Sequence, residues 1–143
     1  MSAVGLKAQL VRDEGIVEHA YEDSLGYLTI GVGHLIDKRR GGSLPPHIIE
    51  QLLQHDITQK TAELYARFSW VIEIDEVRRA TLLNMAFQLG VDGLAKFTRA
   101  MAFMRNGEYT AASIAFADSK VAREQTPERW ARHCLQIKTG MWT

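Results

Sequence analysis

The segment EDSLGYLTIGVGH, residues 22–34, predicts a β-hairpin near the start of the chain. Aromatic and β-branched residues favour strands on both sides of a Ser-Leu-Gly turn signal at 24–26. A three-residue loop, with its glycine in the left-handed conformation, is a favoured hairpin connection. Such a loop places Asp23 opposite Tyr27.

Alternation along the second strand gives its two faces different characters. Leu28, Ile30 and Val32 form the apolar face, which we expect in the core. The other face carries Thr29 and two glycines, and we expect that it is cleared of bulk for a ligand. Asp23 and Thr29 are then diagonal neighbours, at roughly 7 to 8 Å, and this gap suits one bound water or sugar atom.

The composition is that of one globular domain. The chain has 143 residues, of which 46% are hydrophobic and 24% charged. No apolar run approaches the roughly 20 residues of a membrane helix, so we expect no stable membrane insertion. Residues 1–15 lack the pattern of a signal peptide, and the single cysteine, Cys134, suits a reducing compartment, so we expect folding in a cytoplasm.

The five histidines show no paired ligand spacing, and GVG at 31–33 lacks the context of a nucleotide loop, so no metal, cofactor or nucleic acid is predicted.

The net charge of zero hides an asymmetry between the two halves of the chain. Residues 1–77 contain 7 Lys and Arg against 12 Asp and Glu, whereas residues 78–143 contain 10 against 5. The second half, with Arg129 and Arg132 among its cations, is therefore a candidate surface for an anionic partner.

Helical patterns surround the hairpin. A first helix at about 3–13 ends at Gly15, and a second begins with Ser43 and two prolines and continues to about Phe68. Asp75 is the predicted N-cap of a third helix, buried on all sides, that stops at Gly90. Shorter helices are expected around 93–105, 108–117 and 127–135. The fold class is α+β, with a small sheet-bearing lobe joined by the long second helix to a mostly helical lobe.

Glu14 completes a possible catalytic set with Asp23 and Thr29. It lies at the carboxyl end of the first helix, where the helix dipole and burial both disfavour an anion, so we expect its pKa to be raised. A protonated glutamic acid, an ionised aspartate and a positioned water meet the requirements of glycoside hydrolysis.

Four blocks of the chain resemble the phage-type lysozyme (endolysin) family, in which the T-even bacteriophage enzymes fall. They are RDEGIVEHAYEDSLGYLTIGVGHLI (12–36), DEVRRATLLNMAFQLGVDGLAKFT (75–98), QTPERWARH (125–133) and KTGMW (138–142). The resemblance implies a single lysozyme-like domain over 1–143, with one lobe at about 12–60 and the other formed by 1–11 plus 61–143. It also implies a monomer that hydrolyses bacterial peptidoglycan and reaches it through a pore made by a separate phage protein.

The resemblance also implies roles for individual residues. Glu14 takes the position of the general acid, Asp23 that of the catalytic carboxylate, and Thr29 that of the hydroxyl that helps hold water in an inverting reaction. The cleft-lining positions fall on Leu35, Phe87 and Gln88. A structural ion pair is implied between His34 and Asp56. At two positions where the family presents polar contacts to the glycan, this chain has Ala100 and Ala115.

Two other functions remain open from the sequence. A lytic transglycosylase on the same scaffold would form an anhydro sugar without water, and a catalytically silent protein would only bind peptidoglycan. The complete set of Glu14, Asp23 and Thr29 favours the hydrolase, because positioning water is the purpose of the last two.

Overall fold

A computed structural model describes residues 3–22, 28–31, 34–35 and 43–143. The chain divides into two compact units, Met1–Leu53 and Gln54–Thr143. The first contains a small sheet and the second is helical, so the predicted α+β class is confirmed. The predicted lobe boundaries stay a prediction.

The first helix, α1, spans Ala3–Glu14. It ends as predicted at Gly15, whose φ of 75° is left-handed and whose N–H donates to the Val11 carbonyl at 2.9 Å. This conformation closes the last helical turn at little cost only for glycine. The cap therefore fixes the point at which the chain leaves the helix, directly after Glu14.

Three antiparallel strands follow in the order β1 (Val17–Glu22), β2 (Leu28–Gly31) and β3 (His34–Leu35). The described register pairs Glu22 with Leu28 and Tyr21 with Thr29. If the loop has three residues and Asp23 lies opposite Tyr27, the next pair along the strands is Glu22 with Leu28, which is the register observed. The loop itself lies outside the described residues.

The faces of β2 differ from the expectation. Thr29 is buried, with 5% of its surface exposed, whereas Ile30 is only half-buried. The predicted assignment of Ile30 to the core and of Thr29 to an open surface is therefore wrong. Alternation establishes which residues share a face, but it does not establish which face the rest of the fold covers.

The backbone gives a reason for Gly31 that the sequence analysis did not include. Its φ is 72°, and a Cβ built there would meet no atom of the described residues within 4 Å. The register shift on β1 between Val17 and Tyr21 lies across from the same segment. The backbone conformation at an irregularity in the sheet is sufficient to favour a glycine here, and clearance for a ligand stays a prediction. Gly33 lies outside the described residues.

The long helix α2 spans Pro46–Arg67, which confirms the predicted second helix. The Pro45 carbonyl accepts hydrogen bonds from the N–H groups of Ile48 and Ile49 at 3.0 and 3.1 Å, so the proline pair begins the helix. Its length is about 33 Å at 1.5 Å per residue. The boundary between the two units falls within it, so α2 contributes to both. The predicted polar loop at 38–42 lies outside the described residues.

A short 3-10 helix, Ser69–Glu73, leads into α3, which spans Glu76–Ala95. Asp75 caps α3 as predicted, because its carboxylate accepts from the Arg78 N–H at 3.1 Å. Gly90 interrupts α3 with φ 76° and ψ 160°, and helical structure resumes beyond it. The predicted stop at Gly90 is thus a kink.

The rest of the second unit consists of α4 (Thr98–Arg105), α5 (Tyr109–Ala117), a π-helical turn (Val121–Gln125) and α6 (Pro127–Thr139). An aromatic cluster lies in its core, where the rings of Phe97 and Trp130 stack at 5.5 Å and Phe116 contacts both. Phe116 and Trp130 have no exposed surface. Of the helices that the structure describes, none has both the length and the apolar composition to cross a membrane.

Arg78 joins the start of α3 to the end of α6. Its Nε and one terminal nitrogen donate to the carbonyls of Ile137 and Lys138 at 2.6 and 3.1 Å, and the other terminal nitrogen contacts Asp75 at 3.0 Å. The guanidinium also lies 3.7 Å from the centre of the Tyr109 ring. A cation thus satisfies the last carbonyls of α6, where the helix dipole favours positive charge.

Candidate active site

Glu14 is the last residue of α1, at the junction with the sheet. The left-handed Gly15 and one further residue separate it from the start of β1 at Val17. The backbone thus places Glu14 at the negative end of the helix dipole. Its carboxyl lies outside what the structure describes, so the raised pKa stays a prediction.

Thr29 lies at the centre of the small sheet. Its Cα partners are Tyr21 on β1 and Leu35 on β3, so two of the predicted site residues, Thr29 and Leu35, are direct neighbours across strands. The Thr29 side chain is buried, with 5% of the residue's surface exposed. A buried hydroxyl in a small sheet is unusual, because an apolar side chain there costs less to bury.

Asp23 lies outside the described residues, so its predicted relation to Thr29 stays a prediction. The predicted ion pair between His34 and Asp56 is likewise untested. The backbone of His34 lies in β3, and Asp56 is an exposed residue of α2.

Phe87 and Gln88 both lie on α3 in the second unit. Phe87 retains 38% of its surface exposed, so the helix is not buried on all sides as predicted. An exposed aromatic ring is the kind of side chain that contacts ligands. Its role in binding stays a prediction.

The side-chain amide of Gln88 is held at both ends. Its oxygen accepts from the indole N–H of Trp130 at 2.9 Å, and its nitrogen donates to the Thr126 hydroxyl at 3.0 Å. Gln88 therefore ties α3 to the start of α6. The sequence did not indicate this structural role, because the partners are 38 and 42 residues away.

One of the predicted cations, Arg129, is also held in place. It donates to the side-chain oxygen of Asn84 at 2.6 Å, one turn before Gln88 on α3. Asn84 was not singled out from the sequence, since a lone exposed asparagine carries no signal of its own. Hydrogen bonds from Arg129 and Trp130 of α6 thus reach the face of α3 next to Phe87.

The side chains of His133 and Cys134 on α6 are both uncharged at neutral pH. Burial lowers the pKa of His133 from 6.5 to about 4, and the positive charges of Arg129 and Arg132 contribute to the shift. Burial raises the pKa of the Cys134 thiol to about 11. The thiol is therefore protonated at neutral pH, which disfavours a role as a nucleophile.

The two alanines at predicted departures from the family have different surroundings. Ala100 on α4 belongs to the hydrophobic core, with 2% of its surface exposed, and Ala115 on α5 is half-buried against that core. Neither methyl group can supply a hydrogen bond to a sugar.

Comparison with known proteins gives the class that this architecture defines. The family model described as "Phage lysozyme" matches residues 11–131, which is most of the chain. The chain therefore belongs to the phage lysozyme family, and lysozymes are glycoside hydrolases.

Three individual relatives are similar to this chain. The pre-baseplate central spike protein Gp5 of Enterobacteria phage T4 is 30% identical over 96% of the chain, which spans only 28% of that longer protein. Two proteins of Dictyostelium discoideum, probable T4-type lysozymes 2 and 1, are 27% and 25% identical, with 94% of each chain covered in both comparisons.

Proposed function

We propose that the chain is a muramidase that hydrolyses the β-1,4 bond between N-acetylmuramic acid and N-acetylglucosamine in bacterial peptidoglycan. The observation that carries this proposal is the family match over residues 11–131, which contains every residue of the predicted catalytic set. The described geometry agrees with it, because Glu14 ends α1 and the adjoining sheet buries a hydroxyl at Thr29.

In this mechanism Glu14 is the general acid that protonates the leaving oxygen. The dipole of α1 opposes ionisation of a carboxyl at its last residue, which favours a proton held near neutral pH. Protonation of the glycosidic oxygen assists departure of the sugar as the transition state acquires oxocarbenium character.

Asp23 and Thr29 direct the attacking water to the opposite face of the sugar. The carboxylate accepts a proton from the water, and the threonine hydroxyl orients it. The reaction then proceeds with inversion, for which the two carboxyl groups should stand roughly 6.5 to 9.5 Å apart. Leu35, Phe87 and Gln88 are the residues that we assign to substrate binding.

The biological role we propose is that of an endolysin that causes lysis of the host bacterium. Its substrate lies in the periplasm, whereas we expect the enzyme to accumulate in the host cytoplasm as a monomer. It therefore depends on a separate pore-forming phage protein for release.

The basic second half of the chain gives a rationale for attraction to the wall, whose peptides and associated polymers are acidic. Arg129 and Arg132 contribute to this charge. Raising salt from low to physiological concentration should slow hydrolysis of intact walls, because screening shortens the range of the attraction. A rate independent of salt would contradict this role.

Mass spectrometry of the muropeptides released from purified sacculi tests the reaction. A hydrolase produces reducing N-acetylmuramic acid ends, a lytic transglycosylase produces anhydro ends, and a silent binding protein leaves the glycan intact. We expect reducing ends. In addition, Thr29→Glu should trap a glycosyl adduct by replacing the water with a nucleophile, and unimpaired turnover of that variant would contradict the assigned geometry.

A further inference from the structure

The second unit has a surface groove that the proposed catalytic mechanism does not use. This groove, which we name the aromatic groove, lies between the 3-10 helix and α4. Its volume is about 300 Å³. Its lining includes Phe68, Trp70, Thr98, Met101, Ala102 and Arg105. Its size is at the low end of the range of about 300–1,000 Å³ for small-molecule sites.

The apolar part of the groove is rigid. The rings of Phe68 and Trp70 meet edge to face, with their centres 6.0 Å apart, and both pack against the hydrophobic core. Met101, with 5% of its surface exposed, also belongs to that core. A half-buried indole fixed in this way offers a flat surface at low entropic cost, and the C–H face of a pyranose ring stacks on such surfaces.

The polar part of the groove is positive. Arg105, the last residue of α4, is exposed, and no carboxylate is among the described residues that line the groove. The α4 side of the groove belongs to residues 78–143, which have five more cations than anions. A guanidinium beside a flat aromatic surface suits a sugar that carries a carboxylate, because arginine pairs with carboxylates in a bidentate manner.

We propose that the aromatic groove is a second binding site for peptidoglycan, with a sugar on Trp70 and a carboxylate of the muramoyl group or its peptide on Arg105. This inference rests on the proposed function, which supplies the polymeric substrate. A second site on the same polymer makes binding at the active site intramolecular, which raises affinity for intact wall without altering the chemical step.

Nuclear magnetic resonance of the indole N–H groups provides the direct test. The chain has three tryptophans, and Trp142 neither lines the groove nor belongs to the proposed active site, so its indole N–H serves as an internal reference. The ligand is the monomeric disaccharide peptide of peptidoglycan, which lacks the bond that the enzyme is proposed to cleave. We expect its addition to shift the Trp70 signal, identified by its absence in Trp70→Phe, and to leave the Trp142 signal in place.

A pair of alanine substitutions controls for folding and net charge. Ala102→Glu places a carboxylate in the groove at an exposed helical position, and Ala131→Glu places one at an exposed position on α6, which does not line it. We expect the Trp70 shift to be lost in Ala102→Glu and retained in Ala131→Glu. Arg105→Gln should weaken it, whereas Arg99→Gln, on the same helix but not among the groove residues, should not.

The consequence for activity separates this inference from the proposed function. On intact sacculi, Ala102→Glu should lower the rate at limiting substrate by about tenfold relative to Ala131→Glu, and on short soluble glycans the two rates should be equal.

If the chain proves not to hydrolyse peptidoglycan, the titration still measures binding at Trp70. A Trp70 signal that does not respond to the disaccharide peptide overturns the second site, as does a shift that Ala102→Glu leaves unchanged. A shift that depends on protein concentration alone would assign the groove to self-association and would also overturn it.

Discussion

His133 should make the folded chain sensitive to mild acid. The side chain lies on α6 with 4% of its surface exposed, its ring meets Trp130 edge to face at 5.7 Å, and its Nε2 has no hydrogen-bond partner among the described residues. Folding removes the imidazole from water and places it near two arginines, so the neutral form is favoured. Its pKa falls from 6.5 to about 4.

The sign and size of the effect follow from proton linkage. Between these two pKa values the unfolded chain binds a proton that the folded chain does not, so stability decreases as the pH falls from 6.5 towards 4 and changes no further below. The complete loss is about 3 kcal/mol, because one pKa unit corresponds to about 1.4 kcal/mol. By about pH 5 the loss should be about 2 kcal/mol.

Urea unfolding of the wild type and of His133→Leu at about pH 7 and pH 5 measures this effect. Leucine has a similar volume and no titratable group, so the variant should lose about 2 kcal/mol less than the wild type over this interval. The contributions of all other titratable groups cancel in the comparison. His55→Gln is the control, because His55 is exposed on α2 and loses little water on folding. Equal losses in wild type and His133→Leu would refute the reasoning.

Three further substitutions test the fold by urea or thermal unfolding. Arg78→Met should cost about 3 kcal/mol, because the terminal carbonyls of α6 lose charged donors; a change below about 0.5 kcal/mol would contradict that role. Gly31→Ala should cost about 1 kcal/mol from its positive φ alone, and a loss of glycan affinity at unchanged stability would instead favour the ligand-clearance explanation. Gln88→Leu should cost about 1 to 3 kcal/mol, because the Trp130 indole N–H loses its acceptor, and unchanged stability would leave only a binding role for Gln88.

Local signals predicted the helices well. The end of α1 at Gly15, the proline start of α2 and the aspartate cap of α3 each depend on one or two residues whose conformational preferences are strong. The kink at Gly90 was predicted as a stop, because a left-handed glycine ends a helix unless tertiary packing carries the next turn onward.

Features that depend on distant partners were not predictable in the same way. The burial of Thr29 depends on which face of a three-stranded sheet is covered, and the alternating pattern of one strand does not contain that information. The bonds of Gln88 to Thr126 and Trp130, and of Arg129 to Asn84, join helices about 40 residues apart. The candidate catalytic residues came from a local segment, 14–29, together with the resemblance of that segment to a family.

Hydrolysis of purified sacculi by Glu14→Gln tests the central claim, that the last residue of α1 donates the proton to the leaving sugar. The measurement is the initial rate of release of reducing ends, compared with wild type and with Glu18→Gln, which removes an exposed carboxylate from β1. We expect Glu14→Gln to lower the rate by at least about a hundredfold at unchanged stability, since a positioned general acid contributes about 10²–10⁴, and Glu18→Gln to remain near wild type. A Glu14→Gln variant that retains most of its activity would contradict the account.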